Sequence, residues 1–180
     1  MIKPTIVLCV ITLLTAALLI TAHSLTYRDT SGELTDALRQ KCELLMGEGE
    51  YRVVTDRELP DGVYKIIADE KGRTAFEIIA DGYNKGGLDL LIAMNDDGSP
   101  AGIEIVSIKE TPGLGTTVSS GDFLSMFTGK SGNVKIVRRT PREEGEVEAV
   151  SGATYSSKGV ASAVNTAINA YKTLKEGSEQ

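Results

Sequence analysis

Two segments of the chain combine glycine with threonine and serine in a way that suits a phosphorylated ligand. Residues 110–117 (ETPGLGTT) follow an apolar run, and residues 151–157 (SGATYSS) precede a long amphipathic stretch. Glycine lets a backbone approach a ligand closely, and a helix N-terminus attracts phosphate. The alternative is that the second segment is only a turn and a helix cap, because neither segment is a dinucleotide-binding motif or a P-loop.

The chain after the second segment predicts a helix from about Ser157 to Lys175. Its apolar stripe is expected to face the core and consists of Val160, Ala163, Val164, Ala167, Ile168, Tyr171 and Leu174. Ser156 or Ser157 is the expected cap, which would leave the positive end of the helix dipole beside Thr154.

The region between residues 51 and 150 reads mainly as short strands. β-Branched and aromatic runs separated by Asp-Gly turns predict strands at residues 51–55, 63–68, 74–80, 88–94, 102–108, 134–139 and 147–150. A short helix is expected around Asp122–Phe127. Neighbouring strands joined by tight turns favour an antiparallel meander, so the predicted fold class is α+β: one domain with a mainly antiparallel sheet flanked by helices.

The N-terminus carries an 18-residue uncharged run, residues 5–22 (TIVLCVITLLTAALLITA). A transmembrane helix needs about 17–25 apolar residues, whereas a cleaved signal peptide, the alternative, usually has an apolar core of about 7–15. We therefore predict one retained transmembrane helix. Lys3 before the run and the acidic chain after it predict that the N-terminus lies inside and the remainder on the outer face of the cytoplasmic membrane. A second amphipathic helix, containing Leu34, Leu38 and Cys42, is expected to end near residues 47–49.

Composition excludes several classes of protein. The chain has 19 basic and 25 acidic residues and a net charge of −6, which argues against nucleic-acid binding. Cys9, Cys42 and a single histidine form no metal-binding pattern of recognisable spacing. We predict no metal site.

The order of the two segments resembles a known family. SGATYSSKGV before a terminal amphipathic helix, together with ETPGLG after a strand, resembles the FMN-binding domain family and, within it, the G subunit of Rnf ion-translocating electron-transport complexes. That subunit is related to the C subunit of the sodium-pumping NADH:quinone reductase. The resemblance runs from about Asp81 to Leu174 and also fits the single N-terminal membrane helix.

The resemblance implies that FMN is joined through its phosphate to Thr154 by a flavin transferase outside the cytoplasm. Ser151, Gly152 and Ala153 would then shape the attachment loop. Residues of the first segment would lie against the flavin: Glu110, Thr111, Gly113, Leu114 and Gly115. No catalytic acid, base or nucleophile is implied. Tyr83, in a stretched form of a family glycine signature (residues 82–87), is either a ring-stacking residue or a loop anchor.

Together with the hydropathy and periodicity, the resemblance predicts a membrane anchor (1–24), an amphipathic connecting helix (25–50), an FMN-binding domain (51–175) and a frayed tail (176–180). It implies an electron-carrier subunit of an Rnf-type complex that couples ferredoxin:NAD electron transfer to sodium or proton translocation, with the other membrane and peripheral subunits as partners. The chain alone is not expected to oxidise NADH.

Two alternatives to an Rnf-type subunit stay open. One is a carrier for a sodium-pumping quinone reductase or for another outer-face reductase. The other is a membrane-anchored binding module without flavin, because Glu148 stands where the family usually has aspartate.

Overall fold

The computed structural model describes residues 2–26, 32–56 and 58–178. By its internal contacts the chain divides into two compact units, Met1–Thr30 and Ser31–Gln180. Residues 27–31 of the predicted connecting segment and residues 179–180 of the predicted tail lie outside the described residues.

The first unit is helix α1 (Ile2–Thr26), which contains the predicted membrane segment. Its stretch Pro4–Thr26 is long and apolar enough to cross a membrane, and none of the side chains in the apolar window is buried. By its length and composition, α1 is therefore a candidate membrane-spanning helix.

The second unit is built on a five-stranded antiparallel sheet. Helix α2 (Asp36–Met46) precedes the sheet and begins with the Thr35 hydroxyl accepting a hydrogen bond from the Leu38 amide. The strands are β1 (Tyr51–Val53), β2 (Lys65–Asp69), β3 (Thr74–Ala80), β4 (Leu88–Met94) and β5 (Pro100–Ile108). Their order in space follows their order in the chain. The predicted antiparallel meander and the α+β class are therefore confirmed.

Both faces of the sheet are covered by apolar side chains. Alternate residues such as Phe76 and Leu90 pack against the C-terminal helix, whereas Ala75 and Leu91 pack against Cys42 and its neighbours on α2. Because both faces are buried, β4 is a nearly continuous apolar run and does not alternate between apolar and polar residues.

A row of charged residues interrupts the apolar surface on the α2 side. Lys65 and Glu77 are opposite each other on β2 and β3, and Lys65 Nζ lies 3.2 Å from Glu77 Oε2 with both side chains buried. Asp89 on β4 has a buried Oδ1 atom without a hydrogen-bond donor among the described residues. Burial, with a smaller contribution from the negative charge of Glu77, raises the pKa of Asp89 to about 6.

The remaining elements run from β5 to the C-terminus. A 3-10 turn (Gly115–Ser119) is followed by α3 (Gly121–Ser125), β6 (Lys135–Val137), β7 (Glu146–Glu148) and α4 (Thr154–Ser178). Strands β6 and β7 pair in parallel, an arrangement that the strand predictions did not include. Strands β3 and β4 have their predicted bounds, and the other strand ends differ from prediction by at most two residues.

Candidate functional site

The first predicted segment forms a compact turn at the end of β5. Gly113 has a φ of +73°, a left-handed conformation that glycine adopts without strain. Its amide donates to the Thr116 hydroxyl at 3.0 Å, and the amides of Leu114 and Thr116 both donate to the carbonyl of Thr111 at 3.2 Å. These bonds hold Leu114 outward, where 52% of its surface is exposed.

The second predicted segment forms a turn that leads directly into α4. The Ala153 amide donates to the Val150 carbonyl at 2.9 Å, and Gly152 has a φ of +78°. The first helical bond runs from the Ser157 amide to the Ala153 carbonyl at 2.8 Å. Helix α4 therefore starts at Thr154, and the predicted start near Ser157 was wrong.

The two serines do not cap α4, so the predicted cap was also wrong. Both serines are buried, and their hydroxyls are bonded elsewhere. Ser157 Oγ accepts from the Val150 amide at 3.1 Å, and Ser156 Oγ donates to a carboxylate oxygen of Glu110. Thr154 occupies the first helical position, where the amides have no partner within the helix. It is closer to the positive end of the helix dipole than the sequence had indicated.

A cavity of about 320 Å³ lies beside the start of α4. It brings together three segments that are far apart in the sequence: Tyr83, then Thr111, Leu114 and Gly115, then Gly152, Ala153 and the two residues after Thr154. The rings of Tyr83 and Tyr155 meet edge to face with centroids 6.3 Å apart. Both tyrosines are largely exposed, so an aromatic and apolar rim surrounds the opening.

A second cavity, of about 480 Å³, contains Thr154 itself. Ser151 and Gly152 line it together with Arg138 and Glu148. Arg138 directly follows β6 and Glu148 ends β7, so the parallel pairing brings both residues to the same end of the two strands. In the sequence, Arg138 and its neighbour Arg139 look like one solvent-exposed pair, but only Arg139 is paired with Glu146, at 2.6 and 2.8 Å.

Glu110 has a different position from the other residues of the first segment. Its side chain is buried and lines neither cavity. Its carboxylate accepts hydrogen bonds from the amides of Tyr83 and Asn84, both at 3.0 Å, and from the Ser156 hydroxyl. Burial, the largest single influence, raises the pKa of Glu110, but the three donors together hold that pKa below its ordinary value.

The arrangement suits a ligand with a flat aromatic part and an anionic part. The aromatic part would be held by the tyrosine-rimmed cavity, and the anion would be held by the helix start and Arg138. Glycine is favoured between the two cavities because Gly152 has a φ of +78°, and a Cβ atom there would also lie 3.3 Å from Leu114 Cδ2. No group of metal-ligating side chains was found among the residues the structure describes.

Comparison with known proteins agrees with this geometry. Residues 82–169 match the model of the FMN-binding domain family, so the predicted resemblance to that family is confirmed. The chain is 38% identical over 94 residues to the G subunit of the Na(+)-translocating ferredoxin:NAD(+) oxidoreductase complex of Acetobacterium woodii, covering 51% of this chain and 45% of that protein. The chain thus spans about half the length of that relative.

Two further similarities cover more of the chain. The G subunit of the ion-translocating oxidoreductase complex of Methanosarcina acetivorans is 28% identical over 97% of this chain and 96% of its own length. Among solved structures, NqrC of Shewanella oneidensis aligns with a TM-score of 0.48 and 22% identity, over 61% of each chain.

Proposed function

We propose that this chain is a membrane-anchored electron carrier that holds FMN covalently, through its phosphate, on the hydroxyl of Thr154. The observation that carries the proposal is the position of Thr154, the first residue of α4. Thr154 lies in the cavity that Arg138 and Glu148 line, here called the polar cavity. The next residue, Tyr155, rims the cavity that also contains Tyr83, here called the aromatic cavity. The family match supports FMN as the ligand.

The polar cavity suits the phosphate. A phosphodiester on Thr154 keeps one negative charge, which the free amides and dipole of α4 stabilise. Arg138 lines the same cavity and adds a positive charge. Ser151, Gly152 and Ala153 form the turn that places Thr154 there.

The aromatic cavity suits the flavin ring. Thr111, Leu114 and Gly115 line one side of it, and the tyrosine pair can cover the ring and limit its contact with water. Gly113 does not line the cavity, and its left-handed conformation shapes the turn that presents Leu114. Bound FMN would supply the electron-transfer chemistry, while these residues fix its orientation.

The wider role follows from the relatives. Proteins named as the G subunit of ion-translocating complexes support a place for this chain in an Rnf-type complex, together with other membrane and peripheral subunits. Such a complex would couple ferredoxin:NAD electron transfer to sodium or proton translocation. Helix α1 would anchor the chain with its N-terminus inside and the flavin domain on the outer face, where a flavin transferase attaches FMN.

The test is the intact mass and in-gel flavin fluorescence of the denatured full chain after export and co-expression with a flavin transferase. Wild type should gain the mass of one FMN less water, and Thr154→Val, which is of similar size, should gain nothing. Thr173→Val is the matched control, because it removes a threonine hydroxyl from the same helix at a position that lines neither cavity, and it should leave attachment intact. Attached flavin in Thr154→Val would show a different attachment residue. An unmodified wild type, with a transferase shown to modify a second substrate, would contradict the proposal and favour a module without flavin.

A further inference from the structure

Glu110 opens the segment that we expected to lie against the flavin, yet its carboxylate points into the protein. Only 5% of the residue is exposed. The amides of Tyr83 and Asn84 and the hydroxyl of Ser156 all donate to it. With three donors from its own chain, this carboxylate has little remaining capacity to bind a ligand.

Glycines enclose the carboxylate on several sides. A Cβ atom added to Gly82 would lie 2.8 Å from the carboxylate carbon, and one added to Gly87 would lie 2.2 Å from Oε1. On Gly115 it would lie 2.8 Å from both Cβ and Oε2 of Glu110. Since real Cβ atoms do not approach other atoms this closely, the three glycines are needed to admit the Glu110 side chain.

These contacts join three segments at one charged group. The first is the loop that carries Tyr83, the second is the turn that carries Leu114, and the third is the first turn of α4, which carries Thr154 and Tyr155. Ser156 lies two residues after Thr154, so the bond from its hydroxyl fixes the start of the helix relative to the tyrosine loop.

We propose that Glu110 is a positioning residue of the flavin site: its buried carboxylate ties the Tyr83 loop to the start of α4 and so sets the position of both rim tyrosines relative to Thr154. The proposal rests on the function proposed above and gives Glu110 a role other than contact with the ring. Its effect on the flavin passes through Tyr83 and Tyr155.

The charge of Glu110 is part of the proposal. A carboxylate can accept from all three donors, whereas a glutamine amide would turn its NH₂ group towards at least one of them. The pKa of Glu110 lies below its ordinary value in the folded chain. The three hydrogen bonds to the Glu110 carboxylate are therefore formed at neutral pH and are lost as the pH falls through that lowered pKa.

The experiment uses the full chain in detergent and compares Glu110→Gln and Ser156→Ala with wild type. Asp69→Asn is the matched control, because Asp69 is also buried and also accepts from two backbone amides, at 2.9 and 2.8 Å, and from one side chain. It lies at the turn between β2 and β3, and neither cavity includes it.

The first measurement is amide hydrogen exchange on chain prepared without the transferase, which needs no flavin. In Glu110→Gln, exchange should be about tenfold faster or more at Tyr83 or at Asn84, because their amides donate to different carboxylate oxygens and the NH₂ group replaces one of these acceptors. Corrected for intrinsic exchange, wild type should lose the same protection on acidification and Glu110→Gln should show no such step. Equal protection in wild type and Glu110→Gln would overturn the proposal.

The second measurement is the fluorescence anisotropy of the flavin attached to folded chain. Anisotropy should fall in Glu110→Gln and in Ser156→Ala, because the ring is held less firmly, and should stay at the wild-type value in Asp69→Asn. If Glu110→Gln does not fold, Ser156→Ala decides: its anisotropy must fall for the proposal to stand. A wild type that carries no flavin would reject the proposed function, whereas a flavin-loaded wild type with unchanged variants would reject only the role of Glu110.

Discussion

Replacing Asp89 by asparagine should stabilise the domain at neutral pH. Asp89 lies on the α2 face of the sheet near the ion pair of Lys65 and Glu77. Burial, followed by the charge of Glu77, raises its pKa from 3.8 to about 6, while the charges of Lys65 and Lys109 act in the opposite direction. The folded chain therefore binds this proton more tightly than the unfolded chain does. The contribution of Asp89 to the stability of wild type falls as the pH rises from about 4 to about 6 and is constant beyond that range.

The difference between the two pKa values sets the expected magnitude. A pKa that rises from 3.8 to about 6 corresponds to an upper limit of about 3 kcal/mol. Asp89 keeps partial contact with solvent, which screens its charge, so we expect ~1–2 kcal/mol. The Asp89→Asn variant should exceed wild type by that amount above pH 6, relative to the difference between the two proteins at pH 4.

Urea unfolding of the full chain in mild detergent, followed by tyrosine fluorescence at pH values from 4 to 8, measures this difference. Comparing variant with wild type at each pH removes the contribution of other titrating groups that the substitution leaves unchanged. Asp96→Asn, an exposed aspartate in the turn between β4 and β5, is the control and should follow wild type at every pH. Parallel stability profiles for Asp89→Asn and wild type would refute the argument from burial.

Two further predictions concern packing. Gly159→Ala should destabilise the domain by ~1–3 kcal/mol in urea unfolding, because the added Cβ would lie 2.5 Å from the Asp81 carbonyl oxygen and 2.6 Å from Leu88 Cδ1. This steric cost should exceed the helix propensity of alanine, which is about 1 kcal/mol better than that of glycine. Gly177→Ala, with nothing within 4 Å of the added Cβ, is the control, and equal effects of the two substitutions would contradict the prediction. Burial, followed by the charge of Glu77, raises the pKa of Cys42 to about 11. In a Cys9→Ser background the Cys42 thiol should therefore react with iodoacetamide at pH 8 only after unfolding. Modification of the folded protein would show that the packing around Cys42 opens in the native state.

Local sequence patterns predicted the sheet well. The bounds of β3 and β4 agree with prediction because β-branched and apolar residues continue to Asp-Gly or similar turns at both ends. The parallel pairing of β6 and β7 could not be read from the same patterns, because the two strands have only three residues each and periodicity does not encode direction. For this reason the sequence alone did not predict that Arg138 lies beside Thr154.

The start of α4 shows why caps were harder to predict. Ser156 and Ser157 have the residue type that favours an N-cap, yet their hydroxyls bond to Glu110 and to the Val150 amide. Glu110 is 46 residues from Ser156 in the chain, so only the folded structure reveals this partner. Glu110 was similarly predicted from its place in a motif, and the direction of its side chain depended on glycines more than twenty residues upstream.

The packing of α4 has a consequence for any group attached to its first residue. From Val160 to Tyr171 the helix is held by buried side chains against β3 and β4, and Thr154 follows a turn that is itself hydrogen-bonded to Val150. The attachment atom of a cofactor on Thr154 would consequently belong to the rigid body of the sheet. If the rim tyrosines also hold the ring, the distances for electron transfer would change mainly by motion of this whole layer of the protein.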